Sequence, residues 1–274
     1  MKKKIEFIKM VAAGNDFVVI KNSCQLSAVS CQLLAKNICN RKYGVGADGL
    51  LVLEKSKAAD VKMRIFNPDG SEAEMCGNGA RCVALWAKSK VTSHKSQVKI
   101  ETKAGIIESK VEANNVKIKL TDPGNMKLDI PIMINNRNIK VNFINTGVPH
   151  TVIFVQGLDD FDVAGLGRQI RYHQRFAPAG TNVNFVEVLG ASRIKLRTYE
   201  RGVEAETQAC GTGSTAAALI TSRKLPSSNL RKISVLTESG EILKVYFQKT
   251  KKIFKEVWLE GKVKIVYEGC WRDE

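Results

Sequence analysis

The chain has 274 residues, 44% of them hydrophobic, and carries 43 Lys and Arg against 27 Asp and Glu, a formal net charge of +16. That is enough apolar material for one large core or two ordinary ones, and no run of about 18 apolar residues calls for a membrane span. The charge invites a nucleic-acid reading, but no helix-turn-helix, RNA-recognition or zinc-finger pattern accompanies it. Its lysines alternate with apolar residues, as Lys117 and Lys119 do among Val116, Ile118 and Leu120, or cluster between Lys249 and Lys255, so solvated strand faces explain them better.

The basic start, Met1-Lys2-Lys3-Lys4-Ile5-Glu6, passes straight into strand-like alternation with no signal-peptide core. Period-two alternation predicts strands over Ile5 to Met10, Phe17 to Ile20, Leu50 to Glu54, Val61 to Phe66, Val98 to Thr102, Ile106 to Val111 and Val116 to Leu120. A helix is predicted from Ser27 to Asn40, with Ser27 or Ser30 as its cap, and another from Asn78 to Ser89. Thr121-Asp122-Pro123-Gly124-Asn125, almost midway, reads as a linker. Beyond it, strands are predicted over Lys140 to Ile144, His150 to Val155, Asn184 to Val188, Arg193 to Tyr199, Ile233 to Leu236, Glu241 to Phe247 and Val257 to Tyr267, with a helix from Thr212 to Arg223.

The second half repeats the first. Gly14-Asn15-Asp16-Phe17-Val18-Val19-Ile20 is echoed by Gly147-Val148-Pro149-His150-Thr151-Val152-Ile153, Ala47 falls opposite Asn182, and Cys76 falls opposite Cys210, at offsets of 133, 135 and 134 residues. Upstream of the cysteines, Met63-Arg64-Ile65-Phe66-Asn67 parallels Leu196-Arg197-Thr198-Tyr199-Glu200, and Glu72-Ala73-Glu74 is matched to Glu204-Ala205-Glu206. Such a repeat points to two structurally equivalent halves with a cleft between them. The expected fold is α+β: two similar barrel-like β domains, each wrapped around a central helix. The halves are expected at 1–123 and 124–262, with a last strand at about 263–274 returning to the first.

Both copies carry Cys-Gly-x-Gly before a run of small residues: Cys76-Gly77-Asn78-Gly79-Ala80-Arg81-Cys82 and Cys210-Gly211-Thr212-Gly213-Ser214-Thr215-Ala216. Glycines beside a helix start let backbone N–H groups converge on an anion, and the helix dipole favours negative charge there. The same setting is expected to lower a thiol's pKa and make the cysteine a usable base. Two such thiols suggest one substrate attacked from two sides. The seven cysteines form an odd set without Cys-x-x-Cys pairs, which argues against a zinc ribbon and a full disulfide framework and fits a reducing, cytoplasmic setting. Cys24, Cys31, Cys39, Cys82 and Cys270 read as small buried hydrophobes, His94 and His173 as surface residues, and His150 as a functional histidine more than a satisfied core one.

With these motifs in view, the chain resembles the diaminopimelate epimerases. The resemblance runs from Gly14-Asn15-Asp16-Phe17 through Asn67-Pro68-Asp69-Gly70-Ser71 and Glu74-Met75-Cys76-Gly77-Asn78-Gly79-Ala80-Arg81-Cys82 to Glu200-Arg201-Gly202 and Glu206-Thr207-Gln208-Ala209-Cys210-Gly211-Thr212-Gly213. It implies a cofactor-free, metal-free isomerase of lysine and peptidoglycan precursor synthesis that interconverts LL- and meso-diaminopimelate. It also implies a homodimer without nucleic-acid or membrane partners. Cys76 and Cys210 would be the catalytic pair, donor and acceptor by the family's convention and exchanging roles with direction. Gly77, Asn78, Gly211 and Thr212 would grip the reacting carboxylate, with Asn15, Asn67, Asn182, Glu200 and Arg201 holding the rest of the substrate. Arg201 suits a two-pronged contact with the distal carboxylate. His150 and Glu200 would tune the thiols.

Two positions depart from familiar members: Gly49 stands where some carry Gln, and Val148 where some carry Asn, which bears on substrate breadth. The alternative within the same fold is a proline, hydroxyproline or histidine racemase; a basic nucleic-acid-binding protein and a thiol oxidoreductase are the rivals from other classes. Two cysteines suit the chemistry, because inversion removes hydrogen from one face of a carbon and returns a proton to the other.

Overall fold

The computed structural model describes residues 4–22, 26–92, 95–225, 230–250 and 253–272. Cys24, His94 and the Lys251–Lys252 part of the basic cluster lie outside the described residues. The chain divides into two compact units, Met1–Ile118 with Gly261–Glu274, and Lys119–Glu260.

In chain order the elements are β1 (Lys4–Ala12), β2 (Asn15–Lys21), α1 (Ala28–Ile38), β3 (Gly49–Glu54), β4 (Val61–Phe66), β5 (Glu72–Ala73), α2 (Gly77–Lys90), β6 (Gln97–Thr102), β7 (Gly105–Glu112) and β8 (Asn115–Lys119). They continue with β9 (Gly124–Ile134), β10 (Arg137–Asn145), β11 (Pro149–Phe154), α3 (Val163–Arg171), β12 (Asn182–Gly190), β13 (Arg193–Glu200), β14 (Ala205–Thr207) and α4 (Gly211–Lys224). The last are β15 (Lys232–Leu236), β16 (Ile242–Lys249), β17 (Phe254–Lys262) and β18 (Lys264–Arg272).

The first unit pairs its strands in the order β18, β1, β2, β3, β4, β6, β7, β8, antiparallel except for the parallel pairs β2/β3 and β4/β6. The second unit uses the same order with β9, β10, β11, β12, β13, β15, β16 and β17, and its parallel pairs, β11/β12 and β13/β15, fall at the same places. Parallel neighbours need a crossover. The first crossover of each unit carries a helix, α1 or α3; the second carries α2 or α4, the helices opened by the two cysteines. The units are two copies of one fold.

α2 touches β1, β2, β3, β4, β6 and β7, and α4 touches their counterparts β10, β11, β12, β13, β15 and β16, so each curved sheet wraps a central helix. That surrounding explains the small residues. Ala80, Cys82, Val83, Ala84 and Ala87 of α2 are buried, and so is every residue from Gly213 to Ser222 of α4. A helix enclosed on all sides has no solvent face to keep polar, and small side chains let the strands approach. α1 and α3 lie on the outside of their sheets. Leu34 and Ile38 of α1 pack with Val18, Leu50 and Phe66, while Val163 and Ile170 of α3 pack with Ile153, Val183, Phe185 and Tyr199.

The two halves agree strand by strand. Phe17 pairs with Gly49 where His150 pairs with Asn182. Leu50 pairs with Phe66 where Val183 pairs with Tyr199, and Phe66 pairs with Glu72 where Tyr199 pairs with Glu206. The offset is therefore 133 through β2, β3 and β4 and 134 from β5 onward; the added residue lies in the turn after β13. This corrects two matches made from the sequence. Asn182 corresponds to Gly49 and not to Ala47, and Glu72 to Glu206 and not to Glu204. A two-residue slip keeps every side chain on the same face of a strand, so alternation alone does not detect it.

Other corrections are local. Val257 to Tyr267 is two strands, broken after Lys262. The midway linker gives way to β9 at Gly124; Pro131 disguises this strand, whose partner among the described residues is β10, and a strand paired on one side tolerates a missing N–H. α3 escapes the sequence reading because Gly165 and Gly167 break its helical pattern; Asp162 caps it by accepting from Gly165 N–H at 2.8 Å. Cys31, Cys39 and Cys82 are buried as expected, but Cys270 is exposed on β18.

Candidate active site

In the first unit a two-residue hairpin joins β1 to β2, with Ala12 paired to Asn15 and both linking residues, Ala13 and Gly14, at positive φ (50° and 82°). That turn type matches strand twist and favours glycine; it sets Asn15 as the first residue of β2. Cys76 is the N-cap of α2, extended at φ −142° and ψ 119°, and its Sγ accepts from Gly79 N–H at 3.5 Å. A sulfur thus occupies the place of the usual Ser or Asp oxygen at a helix start. Gly77 and Asn78 follow in the first turn, whose amides have no acceptor within the helix. Asn78 is buried and its Nδ2 donates to Asn15 Oδ1 at 2.7 Å. Asn67 follows β4 at an exposed turn, donating from Nδ2 to Ser71 Oγ at 2.9 Å.

The second unit repeats the design. Cys210 is the N-cap of α4, at φ −121° and ψ 114°, and accepts from Gly213 N–H at 3.4 Å; its Sγ lies 3.5 Å from Thr212 Oγ1. Gly213 must be glycine, since a Cβ there would stand 2.4 Å from Asn184 Oδ1. The pKa expectation fails here. Cys210 is 7% exposed; burial first, then the charge of Glu200, push its thiol up to about 12, outweighing the hydrogen bonds from Thr212 and Gly213. Glu200, at the end of β13, is itself raised by burial, against the hydrogen bond it accepts from Thr207 Oγ1 at 3.0 Å. Both shifts run toward the protonated form.

His150 is fully buried, and burial followed by the neighbouring Arg201 charge lowers its pKa to about 3. Its tautomer follows from its neighbours. Asn184 Oδ1 accepts from Thr198 Oγ1 at 3.1 Å, while Asn184 Nδ2 donates to Thr151 O at 2.9 Å and lies 3.1 Å from His150 Nδ1. Nδ1 therefore accepts and Nε2 carries the proton, with no partner among the described residues. Asn182 is engaged on both sides: Nδ2 donates to Pro149 O at 3.0 Å and Oδ1 accepts from Arg201 N–H at 2.8 Å. Arg201 also donates from Nη1 to Ala179 O at 3.0 Å.

The structure gathers Asn15, Cys76, Gly77 and Asn78 in one unit, with Asn67 at the turn that precedes the cysteine. It gathers His150, Asn182, Glu200, Arg201, Cys210, Gly211 and Thr212 in the other. The sequence reading missed the groups that brace them. Arg64 grips Glu72 from Nε and Nη2 at 2.8 and 3.0 Å, and Arg197 grips Glu206 at 2.7 and 2.8 Å, at the same place in the repeat. Each fork ties the long strand to the short one that leads into a cysteine. The Arg64 bond is the main reason Glu72 falls to about 2. The repeated Arg and Glu were visible in the sequence, but the correct Glu emerges only from the strand register.

The family model for diaminopimelate epimerase matches residues 7–127 and 142–266. The diaminopimelate epimerase of Aquifex aeolicus is 41% identical over 282 residues, covering 98% of this chain and 99% of that one. Those of Hydrogenobaculum sp. and Methanocella arvoryzae are 42% and 40% identical, each covering at least 95% of both chains. Among solved structures, a Bacillus anthracis protein of the PhzF phenazine biosynthesis family superposes with a TM-score of 0.75 at 18% identity, covering 99% of this chain and 100% of that one. A hydroxyproline epimerase from Agrobacterium vitis superposes with a TM-score of 0.67 at 15% identity over 99% and 92%. The structural neighbours share the fold alone, whereas the sequence relatives match end to end through both cysteine motifs: the chain belongs to the diaminopimelate epimerase family.

Proposed function

We propose that the protein interconverts LL- and meso-2,6-diaminopimelate, with Cys76 and Cys210 working on opposite faces of the α-carbon. The observation that carries this reading is the duplication itself: each cysteine caps the central helix of its unit at the same topological point. A thiolate removes the α-hydrogen while a thiol protonates the other face, so the competent enzyme holds one proton between two sulfurs. Burial makes Cys210 the thiol of the resting enzyme, leaving Cys76, half-exposed, to act as the base. The roles exchange after one turnover in each direction.

The Gly77, Asn78, Gly211 and Thr212 amides stabilise the negative charge that spreads into the α-carboxylate as the hydrogen leaves. Arg201, steered by Ala179 O, takes the distal carboxylate, with Asn15, Asn67 and Asn182 completing the substrate contacts. His150 Nε2–H and Glu200 adjust the Cys210 side, the histidine as a neutral donor and the glutamate by disfavouring a second negative charge. Gly49 and Val148 contribute no side-chain amide, which widens the range of distal groups tolerated. The protein works in the cytoplasm as a homodimer; β18, paired to β1 along one edge, exposes Ile265, Val266 and Tyr267, the kind of edge that invites a second strand.

The test is direct. Purified protein without added cofactor should convert LL-diaminopimelate to the meso form, resolved by chiral chromatography, and leave L-proline and trans-4-hydroxy-L-proline unchanged. Racemisation of the imino acids with inert diaminopimelate would move the chain to the racemase reading.

A further inference from the structure

Asn15 and Asn78 belong to a longer chain of hydrogen bonds whose two ends have fixed polarity. At one end Asp48 accepts on Oδ2 from Asn15 Nδ2 at 3.0 Å and from Asp16 N–H at 3.2 Å, while Oδ1 pairs with Arg41 Nη2 at 2.7 Å. At the other end Arg81, fully buried in α2, donates from Nη2 to Asn78 Oδ1 at 2.6 Å. A carboxylate can only accept and a guanidinium can only donate. Asn15 must therefore turn its NH2 toward Asp48 and its oxygen toward Asn78, and Asn78 must turn its NH2 toward Asn15 and its oxygen toward Arg81. Reversing either amide would set two donors or two acceptors face to face inside the protein.

The outcome is a defined valence at Asn15. Its oxygen accepts from Asn78 and one N–H is held by Asp48, which leaves a single N–H with no partner among the described residues. We propose that Asp48 and Arg81 are positioning residues that fix this amide, so that Asn15 meets the substrate as a donor to a carboxylate oxygen and not as an acceptor for an ammonium group. The inference rests on the epimerase reading for its substrate. The repeat separates it from a requirement of the fold. The second unit has the same parallel strand pair and helix start, reached through a three-residue turn in place of the two-residue one, yet Val148, Thr181, Thr212 and Thr215 stand where the first has Asn15, Asp48, Asn78 and Arg81. The scaffold forms without the relay.

Asp48→Asn and the exchanged pair Asn15→Asp/Asp48→Asn test this, with an NMR measurement on the ligand-free protein. In the single variant one amide oxygen replaces two acceptors, so Asn15 is free to turn over. KM for diaminopimelate should rise roughly tenfold or more while kcat stays within about threefold. The exchanged pair again sets an acceptor against a donor between positions 15 and 48, though Asp16 N–H loses its oxygen, so it should recover part of the Tm lost in the single variant; it presents a carboxylate to the substrate and should keep the raised KM. An unchanged KM in Asp48→Asn, or a wild-type KM in the exchanged pair, would overturn the proposal. In the ligand-free protein one Nδ2–H of Asn15 and one of Asn78 should be protected from hydrogen exchange, and Asp48→Asn should lose that protection. Fast exchange in the wild type would also overturn it. That arm needs no substrate, so a wild type inert toward diaminopimelate would count against the epimerase reading without deciding the relay.

Discussion

Gly49 and Asn182 occupy one position of the duplicated fold: each opens the strand parallel to the one after the first hairpin, Gly49 beside Phe17 and Asn182 beside His150. By the same register Val148 corresponds to Asn15. Each unit thus keeps one amide of a possible pair, Asn15 on the hairpin strand in the first and Asn182 on its parallel neighbour in the second. The halves share a scaffold and differ in their polar groups.

The Arg–Glu forks should hold the cysteine turns. Replacing Glu72 or Glu206 with Gln removes a charge-assisted, two-pronged bond and leaves a partly buried guanidinium underpaired, a loss of about 1.5–3 kcal/mol. Both variants should lower Tm in thermal denaturation and reduce kcat. A variant with wild-type Tm and kcat would show that the fork it breaks is dispensable.

Arg201→Lys keeps the charge but loses the planar fork and the fixed bond to Ala179 O. The expected result is weaker substrate binding, seen as a raised KM with a smaller change in kcat. Equal kinetic constants for variant and wild type would remove Arg201 from the substrate contacts.

Acid should destabilise the protein through His150. Its folded pKa, about 3, lies below the usual 6.5, so the unfolded chain binds the proton first. The resulting stability is complete above pH 6.5 and is lost as pH falls toward 3. His150→Gln should show a smaller drop in Tm between pH 7.5 and pH 5 than the wild type. Parallel curves would mean that other groups govern acid lability.

Much of this architecture was legible from the sequence because the central helices carry a glycine signature and the sheet strands alternate. The Ser27 cap of α1 and the cysteine caps of α2 and α4 stand where their spacing places them. What escaped was set by tertiary context. α3 carries two glycines, β9 a proline, and the junction between β17 and β18 no strong turn signal. At the site, residue types were readable and environments were not. Cys210 shares its motif with Cys76, yet burial beside Glu200 raises its pKa where the helix start alone would lower it. Asp48 and Arg81 act through other side chains, and spacing carries no trace of that.

Thiol reactivity should follow the same division. Iodoacetamide should label Cys76 ahead of Cys210 near pH 8, because the second is buried and held as a thiol. Mild oxidant should abolish activity by linking the two sulfurs, with reductant restoring it, since thiols that serve one carbon come close to each other. Peptide mapping that finds another pair would contradict that part of the account.

The central claim is that two thiols act on opposite faces of one carbon, and isotope entry in heavy water tests it most directly. At early times the product of inverted configuration should carry solvent deuterium at the α-carbon while recovered substrate carries little, because each face exchanges with its own sulfur. Ala at either cysteine should stop inversion, and Ser should reduce it by roughly 10²–10⁴-fold, since a hydroxyl is a far weaker acid than a thiol. Deuterium appearing equally in substrate and product from the start, or inversion surviving in Cys76→Ala or Cys210→Ala, would mean that one base serves both faces and that the paired cysteines are not the catalytic pair.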